Sequence, residues 1–145
     1  MANVVPNAFK GELLSGTHNF ASGGDSFKLA LYTSNPYTTS STAYSSGAGN
    51  EVSGSAAGYS TGGSALTSQA VASSPATASV DFANLTFSSA TFTAAFGAIY
   101  NDDKSDKLVV ILDFGGSKTA TNGDFTIAFP DPSTPSNAII SLTSS

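Results

Sequence analysis

Hydrophobic positions follow a helical period only near the start of the chain. Within residues 6–15, Phe9 and Leu13 lie one helical turn apart. Pro6 suits the first turn, because its missing N–H is not needed there. The pattern therefore predicts one short N-terminal helix over residues 6–15.

After this helix the hydrophobic period is two, which is typical of β-strands. Residues 26–34 place Phe27, Leu29 and Leu31 on one strand face. Residues 91–100 alternate in the same way and predict a single face made of Phe92, Ala94, Phe96, Ala98 and Tyr100. Shorter strands are predicted around residues 80–82, 85–87, 124–129 and 138–142, with a bulge or turn at Ala83–Asn84.

Residues 108–114 are almost continuously apolar, and this predicts a central strand that is buried on both sides. Residues 101–107 form a charged hairpin loop in this interpretation, and residues 115–123, which end in Asn-Gly, form a second one. Prolines 130, 132 and 135 mark a third connection, in which no strand can continue.

A long polar excursion, residues 35–79, separates the first strand from the others. It has one charge, Glu51, and three of the five tyrosines, Tyr37, Tyr44 and Tyr59. Such a segment is either disordered or made of irregular strands that become ordered on a neighbouring subunit. We favour the second interpretation, because tyrosines and β-branched residues recur in it, and we expect the three tyrosines to be interface anchors.

These elements predict a single β domain over residues 1–145. The fold class is all-β: a β-sandwich or a jelly-roll-like barrel of about 7–8 strands, with one short N-terminal helix.

Composition narrows the range of functions. The formal charge is −5, from 10 acidic and 5 basic residues, and arginine is absent, which argues against a nucleic-acid partner. No apolar run approaches the roughly 18 residues of a membrane span. The N-terminal residues lack the basic segment with which a signal peptide begins, so no signal peptide is predicted. Without cysteine there are no disulfides or thiolate metal sites. We expect no membrane partner.

Two features could carry chemistry through acid–base or metal-binding side chains. His18 is the single histidine and could serve as a general base, but no nucleophile motif surrounds it, so a structural or exposed role is favoured. Asp102, Asp103 and Asp106 could hold Ca²⁺ in one loop. Their spacing does not match an EF-hand, and a solvated hairpin tip is the preferred interpretation.

Two further motifs are weak. The glycine-rich residues 58–63 lack the lysine and the helix of a phosphate-binding loop. Asp81, Asp113 and Asp124 lie in or beside strands and could be catalytic carboxylates, although capping roles are commoner. We therefore expect no catalytic residue, no cofactor, no metal, no small-molecule substrate and no enzyme activity.

Three stretches in a fixed order resemble a family of small structural proteins of tailed-bacteriophage virions. The first is FKGELLSGTHNF followed by SFKLALYTS. The second is NEVSGSAAGYSTGGSALT. The third is ATFTAAFGAIYNDDKSDKLVVILDFGGSKTATNGDFTIAFP. Together they cover most of the chain outside residues 36–49.

The resemblance implies a capsid decoration (cement) protein that binds the outer surface of a phage head and stabilises it. The alternative is a tail, neck, adaptor or fibre component of the virion, and a remote alternative is a small glycan-binding β-domain. The implied partners are the major capsid protein and copies of the chain itself in a homotrimer. The implied location is the capsid surface of the virion, after synthesis in the bacterial host cytoplasm. Tyr37, Tyr44 and Tyr59 would then contact a sister subunit or the shell.

Overall fold

The computed structural model of the chain describes residues 3–46, 49–130 and 138–144. The described part is mostly β-structure with one short helix, as the sequence predicts. In chain order the elements are α1 Asn7–Leu14, β1 Phe27–Tyr32, β2 Ser64–Ala65, β3 Ala70–Ser73, β4 Thr77–Asp81, β5 Leu85–Asn101, β6 Lys107–Ile127 and β7 Ile140–Thr143.

The strands form two antiparallel sheets, and these do not close into a barrel. One sheet has the order β2-β1-β5-β6 and the other the order β3-β4-β7. The jelly-roll-like barrel in our expectation is therefore wrong. Closure would require the outer strands of a sheet to pair with each other, but the outer strand β2 has only two residues and pairs with β1 alone.

The prediction of a hairpin loop at residues 115–123 is also wrong, because β6 continues through them. Gly115 and Gly116 have φ of +74° and +132°, a region that glycine enters without steric cost. Ala94 pairs with Lys118, and Phe96 pairs with Asp113. Between these two pairs β5 advances by two residues, whereas β6 advances by five. The extra residues of β6 form a bulge, and pairing with β5 resumes on both sides of it, so the two glycines do not end the strand.

This bulge also splits the face that we predicted for residues 91–100. Phe92 and Ala94 lie in a core cluster with Leu29. By contrast, Ala98 and Tyr100 lie in a second cluster on the opposite face of the sheet, and Phe96 packs against it. A register shift changes which alternate positions point to a given face.

Residues 108–112 are buried as predicted, but β6 is an outer strand and not a central one. The edge of β6 that faces away from β5 is covered by segments of the chain without regular secondary structure. Val4 and Ile111 exchange two backbone hydrogen bonds of 2.9 and 2.8 Å, and Leu108 N–H donates to the Thr42 carbonyl at 3.0 Å. These contacts satisfy the backbone groups that an outer strand otherwise leaves open.

Around β1 the four-stranded sheet is covered on both faces. One face carries the larger core with Phe27, Leu29 and Leu31 of β1. The other face carries the smaller cluster with Tyr32, which is covered by Tyr37 and Tyr44 from the polar excursion. The described residues of this excursion pack on the chain's own sheet and supply β2, β3 and most of β4.

Candidate functional site

All five tyrosines gather around or beside Glu51, the single charge of the polar excursion. The Glu51 Oε1 atom accepts hydrogen bonds from the Tyr59 hydroxyl and from the Gly62 N–H, both at 2.7 Å. Its Oε2 atom accepts from the Tyr44 hydroxyl at 3.0 Å. A bridge to Tyr32 of β1 holds Glu51 beside the sheet. One carboxylate thus joins three points of the excursion to one another.

The other tyrosine contacts extend this cluster across the second face of the sheet. The Tyr32 and Tyr37 hydroxyl groups are 2.8 Å apart. The Tyr44 and Tyr100 rings stack at 4.4 Å, and the Tyr100 hydroxyl donates to the Gly62 carbonyl at 2.7 Å. The rings fill the space over the sheet, and their hydroxyl groups are paired with one another, with Glu51 or with the backbone.

Burial is the main cause that raises the pKa of Tyr32, Tyr44, Tyr59 and Tyr100. The nearby Glu51 carboxylate raises the pKa of each of these hydroxyls further. The four hydroxyls therefore stay protonated well above neutral pH and keep their capacity to donate a hydrogen bond. This arrangement favours a structural role for the cluster over proton transfer.

The predicted interface residues lie within this cluster. Tyr37 is 7% exposed and Tyr59 is 5% exposed, while Tyr44 is half-buried. Their rings are already used in contacts within the chain. The prediction that a partner also contacts them stays a prediction, and the surface that Tyr37 and Tyr59 leave for it is small.

His18 belongs to a second polar cluster, between α1 and the hairpin of β5 and β6. Its Nε2 atom lies 2.8 Å from Glu12 Oε2, and its Nδ1 atom lies 3.0 Å from Asn101 Nδ2. The Asn101 amide also donates to Asp25 at 2.9 Å, and its oxygen accepts from the Asp103 N–H. Asn101 is therefore a donor to Nδ1, which leaves Nε2 to donate to Glu12. The imidazole is buried with both nitrogens engaged, which suits the structural role favoured by the sequence.

Two carboxylates of this cluster are stabilised in their charged form. Burial by itself raises the pKa of Glu12, but hydrogen bonds from His18 and Lys107 outweigh it and bring the pKa below its usual value. Asp25 behaves alike: burial raises its pKa, and the bonds from Asn101 and the Asn19 N–H lower it by more. Lys107 Nζ lies 3.0 Å from Glu12 Oε1. The cluster therefore ties the helix to the hairpin.

The aspartates of the hairpin loop contact protein groups near the start of β1. Asp102 forms an ion pair of 3.1 Å with Lys28, and Asp103 accepts a hydrogen bond of 2.6 Å from the Ser26 N–H. Within residues 3–46, 49–130 and 138–144, no group of three or more acidic or histidine side chains is placed to hold a metal ion.

The remaining sequence candidates are not brought to one centre. Asp81 ends β4, whereas Asp113 and Asp124 line a depression of about 570 Å³ along β6. The Gly115 N–H donates to Asp113 at 2.9 Å and lowers the pKa of this carboxyl, which is opposite to what a general acid needs. The glycine-rich residues 58–63 pack against the strands: a Cβ at Gly63 would collide with the Leu29 carbonyl.

Sequence reasoning missed Glu51 and Asn101, the two residues on which these clusters centre. The available signal was that Glu51 is the only charged residue between residues 33 and 79. A lone carboxylate among tyrosines and glycines must find several hydrogen-bond donors when it is covered.

Comparisons with models of known families, with curated proteins and with solved structures find no match to this chain. In the described part of the chain, no helix is long and apolar enough to cross a membrane.

Proposed function

We propose that the chain is a structural protein of a tailed-phage virion. It acts as a capsid decoration protein that binds the outer surface of the head, and it is not an enzyme. Its partners in this proposal are the major capsid protein and further copies of itself, most simply in a trimer. A tail, neck, adaptor or fibre component is the alternative, because it needs the same kind of adhesive β-module.

The observation that carries this proposal is that the three phage-like stretches of sequence meet in one structural unit. The first supplies α1 and β1, the second supplies Glu51 and β2, and the third supplies the hairpin of β5 and β6. The second stretch is joined to the first through the Val52 N–H, which donates to the Leu31 carbonyl at 2.9 Å. It is joined to the third through the Tyr100 hydroxyl on Gly62. The three stretches follow the same order as in that family and also pack against one another, and this supports the proposal that the chain has the fold of the family.

The form of the molecule is in keeping with this role. We propose that the two sheets face each other as a sandwich, since Val80 of one sheet and Leu29 of the other belong to the same core cluster. Threonines pair across the outward face of the long hairpin, at Thr93–Thr119 with 2.7 Å between the hydroxyl oxygens and at Thr86–Thr126 with 3.0 Å. A partner covers such hydrogen-bonded, uncharged hydroxyl groups at a lower desolvation cost than charged groups.

The test is the number and position of copies in purified particles of the phage that encodes the chain. Quantitative mass spectrometry should find on the order of hundreds of copies per particle, since a closed shell repeats each surface site by symmetry. About a dozen copies or fewer would favour the neck or a tail adaptor, and copies along the tail would favour the tube. Absence of the chain from washed particles would refute a virion role.

A further inference from the structure

A single apolar groove runs between α1 and the β3-β4-β7 sheet. It consists of two adjoining depressions of about 500 and 290 Å³, which share Leu13, Ile140 and Leu142. Every large apolar side chain that the described part of the chain exposes lines this groove: Val5, Leu14, Val71 and Leu142. Apolar surface gathered in one place, rather than scattered singly, marks a binding surface.

The groove has one positive charge that no carboxylate in the described residues neutralises. Lys10 lies one turn before Leu14 on α1 and lines the groove, and its ammonium group donates only to the Asn7 side chain, at 3.3 Å. Lys28, Lys104 and Lys107 each form an ion pair instead. In a chain with a formal charge of −5, a free ammonium beside an apolar groove is complementary to a carboxylate carried by an apolar partner.

Backbone and hydroxyl groups beside the groove favour an extended polypeptide as that partner. β7 lines the groove and pairs with β4 along one edge, while its other edge has no strand partner in the residues described. Ser79 also lines the groove; it is 3% exposed, and its hydroxyl has no hydrogen-bond partner in the described structure. A peptide strand can bond to such an edge and place alternate side chains in a groove.

We propose that this groove, which we call the Lys10 groove, binds an extended segment of a partner protein with alternating apolar and acidic side chains. The apolar side chains contact Leu14 and Leu142, a carboxylate contacts Lys10, and the backbone adds to the free edge of β7. An anionic membrane surface is disfavoured, because the groove offers a single lysine and the chain as a whole is negatively charged. The proposal rests on the virion role only for the identity of the partner.

The probe is a short synthetic peptide in which valine and glutamate alternate, with a matched peptide in which lysine replaces glutamate. Titration into the ¹⁵N-labelled chain should give saturable shifts of the Lys10, Leu14 and Ser141 amide signals with the acidic peptide only. Lys10→Gln should weaken this binding about tenfold, and Lys118→Gln, at a position that lines neither depression of the groove, should leave it unchanged. Leu14→Ser should also weaken it, and since Leu14 is 88% exposed the variant retains its fold.

Several outcomes would overturn the proposal. These are the absence of saturable shifts, equal binding of the two peptides, and acidic-peptide binding that Lys10→Gln leaves unchanged. A wild-type dimer that Leu14→Ser dissociates in sedimentation would identify a second copy as the occupant instead. Nuclear Overhauser contacts from another part of the same chain to Leu14 would show that the groove is filled internally. Tighter binding to phosphatidylglycerol vesicles than to the peptide would identify a lipid surface. None of these results depends on whether virions contain the chain, so failure here is distinct from failure of the proposed function.

Discussion

The Tyr59 hydroxyl offers the sharpest test of how the polar excursion is held to the sheet. It donates to Glu51 at 2.7 Å and accepts a hydrogen bond of 3.1 Å from the Leu31 N–H of β1. Tyr59→Phe removes both bonds and keeps the ring, which is 5% exposed and packs on Phe87 and Phe92. The change therefore isolates the hydroxyl from the hydrophobic contribution of the side chain.

The expected loss of stability combines two contributions. A hydrogen bond to a charged acceptor contributes about 1.5–3 kcal/mol, and a buried backbone N–H left without an acceptor costs about 1–3 kcal/mol. The contributions overlap, because the vacated space lets the remaining groups relax, so we expect Tyr59→Phe to lower the free energy of unfolding by about 2–4 kcal/mol. For a domain of this size this corresponds to a fall in Tm of about 6–12 °C.

Urea and thermal denaturation of the isolated chain, followed by far-ultraviolet circular dichroism, measure this loss. Tyr44→Phe is the matched control, because its hydroxyl makes one bond of 3.0 Å to the same carboxylate in a half-buried position. Because water can reach and replace this half-buried bond, its loss should cost about 0.5–1.5 kcal/mol, less than the loss of a buried bond to the same carboxylate. If Tyr59→Phe were as stable as the wild type, or less destabilised than Tyr44→Phe, the excursion would not be anchored in the way we describe.

Three further predictions concern the helix, the sheet and the core. Glu12→Gln should lower the free energy of unfolding near neutral pH and make stability depend less on pH in acid. The reason is that the lowered pKa of Glu12 stabilises the fold above about pH 4.5, and this contribution is lost as the pH falls through the pKa of the folded state. Urea denaturation at several pH values would measure both effects. Gly63→Ala should prevent native folding or strongly lower Tm, since its Cβ meets the Leu29 carbonyl at a φ of +78°, whereas Gly11→Ala, in open space on α1, should stabilise by about 0.5–1 kcal/mol. Phe125→Ala should cost about 3–5 kcal/mol in urea denaturation, because the ring is 7% exposed and lies 5.0 Å from a neighbouring phenylalanine ring; an unchanged midpoint would mean that this face is not the core.

The sequence by itself determined those elements that depend only on neighbouring residues in the chain. The helix is found at Asn7–Leu14, within the predicted residues 6–15, because turn spacing and Pro6 act over a few residues. The structure also confirms the first strand, the break at Ala83–Asn84 and the charged hairpin loop, which depend on short stretches of sequence as well. Side-chain alternation within one strand does not depend on which strand lies beside it.

The tertiary structure alone decided where the long strand bulges and which side chains meet. Gly115 and Gly116 were predicted to lie in a turn, and only the pairing of β6 with β5 makes them a bulge within a strand. The cluster around Glu51 and the cluster around Asn101 likewise join residues that are far apart in sequence. His18 and Asn101 are separated by 83 positions. The sequence shows that such groups need partners, but which partners they find depends on strand register, which is a property of the assembled sheets.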